Sequence, residues 1–431
     1  MKNLLKYWFT FVVAVSLISA IASCFPTTYT PVYRNNVALL YNPGAAIVLP
    51  EYSVTAKSET EYMLISRVQI SDLLFNMANE RKVNMAKMRL KYVLYTSLAE
   101  RIIVDSASNT YAVYPNKYSS QIVNYTTVKT PEKRNYVLAI ELTDLLRNRT
   151  HYSLHFINNT ETGIGLQNSV MYKPSYEPVF NRSVKPDSLF MVLQNGYPLK
   201  NTYIQLFNDT VFLPPPPFST SMKQIRPNKA DSVLFVANTD TVKLKLRKKG
   251  LMFFSAKADT AIGTPVYSFS SSFPNITTAD ALISPLIYLC TTKEYDDIKK
   301  ASNPKLLLDA FWLKTAGSSQ RAKELIRIFY NRVKFANIYF SSFTEGWQTD
   351  RGMVYIIFGP PGTVLKNDTY ERWIYGENYG GQPIEFVFER LKSSFTDNDF
   401  ELRRSADFAS PWRKAVESWR KGKVYSYETE N

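Results

Sequence analysis

The chain has 431 residues, with 52 lysines and arginines against 37 aspartates and glutamates, for a formal charge of +15. At about 100–200 residues per domain that is two or three domains, and a 45% hydrophobic, 14% aromatic composition excludes a disordered chain. Two cysteines cannot make a disulfide framework. Two histidines leave a zinc site or a histidine-based triad short of ligands or base, so no metal and no cofactor is expected.

Lys2 and Lys6 open the chain, and the run from Tyr7 to Ile21 is apolar apart from a few small hydroxyls. It is shorter than a membrane-spanning helix of about 20 residues and fits the core of a signal peptide, residues 1–23. The run ends in "IASC", residues 21–24, which resembles the lipobox of bacterial lipoproteins. That resemblance implies cleavage before Cys24 and acyl chains on it, each methylene adding about 0.8 kcal/mol of membrane affinity. The following "FPTTYTP" lacks the acidic residues that resemble a surface-export signal in Bacteroidota, so a periplasm-facing protein of the outer membrane is expected. Residues 24–49 read as anchor and linker. Loss of residues 1–23 removes two lysines and no acids, leaving +13 on 408 residues. Such a balance suits acidic lipid head groups or acidic proteins as partners, and nucleic acid is a poor candidate in that compartment. With Cys24 acylated, Cys290 in "SPLIYLC" has no intramolecular partner and is expected to be a buried, inert thiol.

Residues 50–175 read as an immunoglobulin-like β-sandwich. "MRLKYVLYT" alternates through Met88, Leu90, Tyr92 and Leu94, and "NYVLAIELTDLL" through Tyr136, Leu138, Ile140 and Leu142. In "LLRNRTHYSLHF" the inward face falls to Tyr152, Leu154 and Phe156, an arrangement that resembles a tyrosine corner. His151 and His155 then fall on the exposed face, about 13 Å apart at the rise of a strand. Residues 186–283 read as a second β-domain, with short alternating runs interrupted by "LPPPPF" (213–218), a stiff surface loop. Six Asp-Ser/Thr-small or aliphatic tripeptides, centred on Ser106, Ser188, Thr210, Ser232, Thr241 and Thr260, resemble the O-glycosylation sequon of Bacteroidota. The same dipeptides also make good turns.

From about residue 284 helical periodicity takes over. "EYDDIKKA" (294–301) and "KLLLDAFWLKTA" (305–316) read as short helices. A long amphipathic one spans 318–340, buried through Leu325, Phe329, Val333, Ala336 and Phe340. Then comes "FTEGWQTDRGMVYIIFGPPG" (343–362), followed by "YERWIYG" (370–376), "IEFVFER" (384–390) and a last helix, "PWRKAVESWRKG". "MVYIIF" (353–358) is apolar on both faces and reads as a central strand, stopped by Gly359-Pro360-Pro361-Gly362.

"LLLDAFW", "FYNRVKFANIYF", "GWQTDRG", "VYIIFGPPG", "YERWIY" and "FVFER" stand in the order found in the GWxTD-domain family, and Trp347, Thr349 and Asp350 match its name-giving motif. The resemblance covers about 284–405 and implies an α+β domain at the end of an envelope lipoprotein; it implies no activity. The whole is thus mainly β followed by α+β, with the GWxTD domain at 284–431. Read as structure, Gly346 permits a sharp turn, Trp347 supplies apolar area, and Thr349 and Asp350 satisfy turn amides. Arg351 meets Glu345 or Glu371, and Gly352 precedes the strand. Read as chemistry, Asp350 is a general base, Arg351 an anion clamp and Trp347 a stacking platform, although no activated nucleophile or phosphate loop accompanies them. The structural reading is favoured, and with it a non-enzymatic binding or assembly subunit of envelope machinery. In that layout the β-domains give reach and the C-terminal domain docks. The alternatives are an envelope enzyme acting on glycan or peptide through Asp350, and a surface glycan-binding module.

Overall fold

Alternating burial along the strands organises the first part of the chain. The computed structural model describes residues 36–426 apart from 45–47, 79–82, 116–118, 161–168, 187, 195–200, 209–212, 222–223, 228, 238–243, 246–248, 256, 259–262 and 378–381. The signal segment, Cys24, Thr210, Thr241 and Thr260 lie outside the described residues. Strands β1 (Glu51–Ala56), β2 (Glu61–Gln69) and β6 (Gln121–Lys129) form one sheet in the order β1-β2-β6. The other contains β3 (Asn76–Ala78), β4 (Val83–Tyr95), β5 (Ile103–Val113), β7 (Asn135–Asp144) and β8 (Arg149–Asn158). Its order is β3-β4-β7-β8, with β5 also paired to β4. Met88, Leu90, Tyr92 and Leu94 of β4 and Tyr136, Leu138, Ile140 and Leu142 of β7 are all buried, and they share one core with Tyr62 and Leu64 of the facing sheet. The period-2 reading of these strands holds.

The phase of β8 does not. Ile157 enters the core and Tyr152 is exposed, so the odd-numbered residues face inward. His151 and His155 therefore sit against Tyr52 of β1, with ring centroids 6.3 and 5.5 Å away, instead of pointing into solvent. A one-residue change of register moves a whole strand face, and in β8 both candidate faces carry polar residues. The corner-type hydroxyl bond is made elsewhere: Tyr136 donates to the Glu132 carbonyl (2.9 Å) and accepts from the Glu132 amide (3.0 Å).

A second pair of sheets follows. β9 (Ser169–Tyr172), β10 (Ser183–Val184), β11 (Leu189–Gln194), β12 (Thr202–Asn208), β13 (Ser232–Val236), β14 (Leu244–Lys245), β15 (Gly250–Ser255) and β16 (Thr264–Ser268) assemble as β10-β16-β15-β12-β13 and β14-β11-β9. Met171, Phe190, Val192, Ile204, Met252, Phe254 and Val266 fill the space between them. β9 lies in sequence within the stretch read as the first domain, but it pairs with β11. The proline run is not a free surface loop. Pro214, Pro215 and Pro217 are buried, and Leu213 and Phe218 pack against the core of the C-terminal region.

That region holds helices α1 (Ala279–Ile283), α2 (Thr292–Lys300), α3 (Pro304–Ala316), α4 (Ser319–Phe340), α5 (Asp350–Phe358) and α6 (Ala409–Arg420). They pack with an antiparallel sheet of β17 (Thr363–Lys366), β18 (Tyr370–Tyr375), β19 (Ile384–Arg390) and β20 (Phe400–Leu402). Helix starts are set by side chains: Thr291 and Glu294 make a capping box for α2, Asn303 caps α3 ahead of Pro304, and Ser318 caps α4. All five apolar positions expected on the inner face of α4 are buried. The segment 353–358 is the correction: it is the body of α5 and not a strand. Every residue of α5 is buried, so it has no polar face, and its 3.6-residue period is erased from the sequence. Cys290 is half-buried, and burial pushes its thiol up to about 12.

Residues 37–41, expected to be linker, belong to this C-terminal core. The Val37 amide donates to the Val364 carbonyl (2.8 Å), Tyr41 donates to Glu371 Oε1 (2.9 Å), and the Tyr41 carbonyl accepts from the Tyr355 hydroxyl (3.0 Å). The Tyr41 ring packs on Phe340 and Trp373. Tyr41→Ala is expected to lower stability by about 3–5 kcal/mol in chemical denaturation, as for other buried aromatics. Leu39→Ala, at an exposed neighbour, should change it by less than about 0.5 kcal/mol.

Candidate functional site

The site is a turn that must bring a chain end back against the helix it has just left. Helix α4 stops at Phe340, and Gly346–Gln348 form a single 3₁₀ turn packed on its last residues. A Cβ on Gly346 would lie 1.9 Å from the Ala336 carbonyl oxygen, and one on Gly352 would lie 1.8 Å from the Gly346 oxygen. Both glycines are thus required by contact; the freedom to turn is secondary. Asn337 fixes the turn from the helix side, its Oδ1 accepting from the Trp347 amide (3.1 Å).

Trp347 lies inside this packing. Its indole N–H donates to Glu345 Oε2 (3.0 Å), its carbonyl accepts from the Tyr288 hydroxyl (2.8 Å), and its ring meets the Tyr288 ring at 6.3 Å. The other Glu345 oxygen accepts from the Ser270 amide (2.8 Å), tying the turn to the chain just after β16. Glu345 is therefore the partner of Trp347 and not of Arg351. Thr349 caps α5: its Oγ1 accepts from the Gly352 amide (3.1 Å) and donates to the Gly346 carbonyl (2.8 Å).

Asp350 and Arg351 are adjacent, in the first turn of α5, and both are buried. Each is neutralised in a different direction. Asp350 Oδ2 accepts from the Leu402 amide (2.9 Å), and both carboxylate oxygens accept from the Arg404 guanidinium, at 2.5 and 3.3 Å. Burial lifts the Asp350 carboxyl above its usual range while Arg404 and the Leu402 amide pull it back. Arg351 Nη1 donates to Glu371 Oε1 (3.0 Å), Nη2 donates to the Asn398 side chain and carbonyl, and the guanidinium lies 3.9 Å from the Phe400 ring centroid. Glu371 also accepts from Lys366 (2.5 Å), Tyr41 and the Trp373 indole (3.2 Å). Burial disfavours its anion, yet Lys366 and Arg351 outweigh that and bring its pKa down to about 2.

At the other end of α5, Gly359 adopts φ 87° and its carbonyl accepts from Tyr375 (2.9 Å). The last helix carbonyls, of Ile356 and Ile357, accept from Arg332 at 3.1 and 3.0 Å, and Ile357 also from the Trp419 indole (3.0 Å). Burial holds Arg332 down, to about 10. Pro360 is exposed and Pro361 buried just beyond. The helix thus has side-chain partners at both termini, where a buried helix leaves backbone groups without them.

Residues 250–421 match the GWxTD domain. The match starts at the first residue of β15, further upstream than the resemblance in the sequence reached. The structure gives the reason: Phe343 of the turn packs with Leu251, Phe253 and Tyr267 of β15 and β16, so the GWxTD turn rests on those strands. No curated protein matches the chain.

Arg404, Asn398 and Asn337 escaped the sequence reading. Each lies outside the motif and meets it only through the fold; a doubled arginine after "FEL" was the sole local hint. The proline segment also reaches the motif, since the Pro215 carbonyl accepts from Arg404 Nη2 (3.1 Å) and Gln224 donates to the Gln348 carbonyl (2.8 Å). Of the described sequon hydroxyls, Ser106 and Ser232 are exposed and Ser188 is half-buried. Asp105-Ser106 lies within β5 and not in a turn, and Asp105 is held by Tyr92 and the Lys129 amide. Among the described residues no group of three His, Cys, Asp or Glu is placed to hold a metal.

Asp350→Asn, which leaves Arg404 without its counter-charge, is expected to cost about 3–5 kcal/mol of stability in denaturant titrations, and Gly352→Ala to prevent folding of the domain. Burial holds His151 and His155 near 4, below the usual 6.5. Unfolding then takes up protons between those values, so stability should fall as pH drops from about 6.5 towards 4, with Glu371 still ionised. A double His151→Asn, His155→Asn variant should show a flatter melting temperature over that window.

Proposed function

We propose that the chain is an envelope lipoprotein of the Bacteroidota type. It is anchored through Cys24 on the periplasmic side of the outer membrane and acts without catalysis as a binding or assembly subunit. The observation that carries the non-catalytic part is the closure of the GWxTD turn. Both Asp350 oxygens are engaged by Arg404 and the Leu402 amide, and Arg351 by Glu371 and Asn398, so neither meets a reactant without first breaking a buried ion pair. A general base has to reach the proton it abstracts. Residues so engaged organise a domain, leaving its outer surfaces for partners.

The signal-like run, "IASC" and the basic balance support the anchor. Twelve residues separate Cys24 from Val37, whose amide is bonded within the GWxTD domain. No helix among the described residues is long and apolar enough to cross a membrane. Glycans on Ser106 and Ser232 fit this compartment, since both hydroxyls are exposed.

Two measurements test the reading. Radiolabelled palmitate should be incorporated into the native chain and lost in Cys24→Ser, and mild detergent extraction should recover the protein with other envelope proteins. Unlabelled protein, or a lone monomer under gentle conditions, would overturn it.

A further inference from the structure

Two open strand edges face the same recess. β1 ends the sheet β1-β2-β6 and β8 ends the sheet that contains β4 and β7, so among the described residues each has a hydrogen-bonded strand on one side only, with Ala38–Tyr41 also packed near β8. Both line a cleft of about 1940 Å³, whose other walls come from residues 178–185 of the second β-domain and 390–398 of the GWxTD domain. Small-molecule pockets run to about 300–1,000 Å³, so this space suits a length of polymer. From His151 to His155 no backbone group is bonded outside the β7–β8 ladder among the described residues. β8 pairs with β7 over ten residues without a register shift, and it contains neither lysine nor proline, the devices that ordinarily blunt an edge.

Charge and hydrogen-bonding capacity narrow the occupant. Arg182, Lys185, Lys334, Arg390 and Lys392 line the cleft without an ion pair among the described residues, against Asp368 and Asp397. Basic side chains outnumber acidic ones on these low-dielectric walls, and such an excess draws an anion. Three buried polar atoms of residues lining the cleft have no hydrogen-bond partner among the described residues: the Tyr52 hydroxyl and His151 Nδ1, whose rings lie side by side, and Arg182 Nη1 across from them. Arg182 and the preceding Asn181 both take left-handed backbone angles, φ 50° and 57°, a conformation rare outside glycine that is over-represented at binding sites.

We infer that the cleft takes an extended acidic segment of another protein, added as a strand along the open edge of β8. Its backbone completes the ladder, and carboxylates on alternate residues meet Arg182, Arg390 and Lys392. Five residues of open edge, His151 to His155, span about 16 Å. This site does not depend on the lipid anchor, so its failure and that of the assembly reading are separable.

The test is fluorescence anisotropy on the purified full chain, with a labelled peptide of about ten residues that alternates glutamate with threonine or valine. Saturable binding is expected, weakened by salt and reduced about tenfold or more by Lys334→Gln with Lys392→Gln. Arg182→Gln, with its melting temperature checked, should do the same. The same peptide methylated on alternate backbone nitrogens keeps its charge and cannot pair, so it should not bind. Three results would each overturn the inference: equal binding of the methylated peptide, displacement by a sulfated oligosaccharide of equal charge, or no binding of the acidic peptide.

Discussion

Two adjacent residues of opposite charge, both cut off from water, set the terms for the C-terminal domain. A buried ion needs a partner with good geometry, because desolvation costs several kcal/mol per ion. Asp350 and Arg351 cannot neutralise each other well from consecutive positions in a helix, since neighbours in sequence point in different directions. Each therefore demands a counter-charge from its own side: Arg404 beyond β20 for the first, Glu371 of β18 for the second. The helix start is thereby fixed against two separate parts of the sheet region, and α5 has no freedom to slide or rotate.

The consequences spread outward through shared groups. Glu371 accepts from Lys366, Tyr41 and Trp373 as well as Arg351, so the segment nearest the proposed anchor and the strand β17 close on the same carboxylate. Arg404 divides its donors between Asp350 and the Pro215 carbonyl, which brings the proline segment of the second β-domain onto the motif. Arg226 repeats the device a few residues on by pairing with Asp399 (2.8 Å). A motif read as five letters is in this way the meeting point of three distant stretches of chain. Polar networks of this kind stabilise little on average, but they specify one arrangement over its competitors.

How much of this was legible in the sequence depends on where each partner lies. Strands β4 and β7 and helix α4 each bury one face and expose another, so their periods survive in the residue order and their inner faces are readable. Helix α5 buries all of its faces, and nothing periodic remains; Val354, Ile356 and Ile357 then favour a strand by composition. β8 failed for the opposite reason. Its two faces carry comparable polar residues, so the phase is decided by contact with Tyr52 across the sandwich, which no local pattern records. The Arg351–Glu371 pair was among the readable options because a buried cation near a buried-strand glutamate limits the choices. Arg404 was not, because its role arises only when β20 is laid beside α5.

The same logic separates the packing at the motif from the surface proposed to bind a partner. Gly346 and Gly352 leave no room even for a methyl group, and Trp347 is enclosed by Glu345, Tyr288 and the end of α4. The proposed strand-addition site lies instead where the β and α+β units leave a cleft between them, lined by arginines and lysines beside the edge strand β8. The proline segment and the turn at Phe343 both fasten the second β-domain, which supplies one wall of that cleft, to the GWxTD domain, which supplies another.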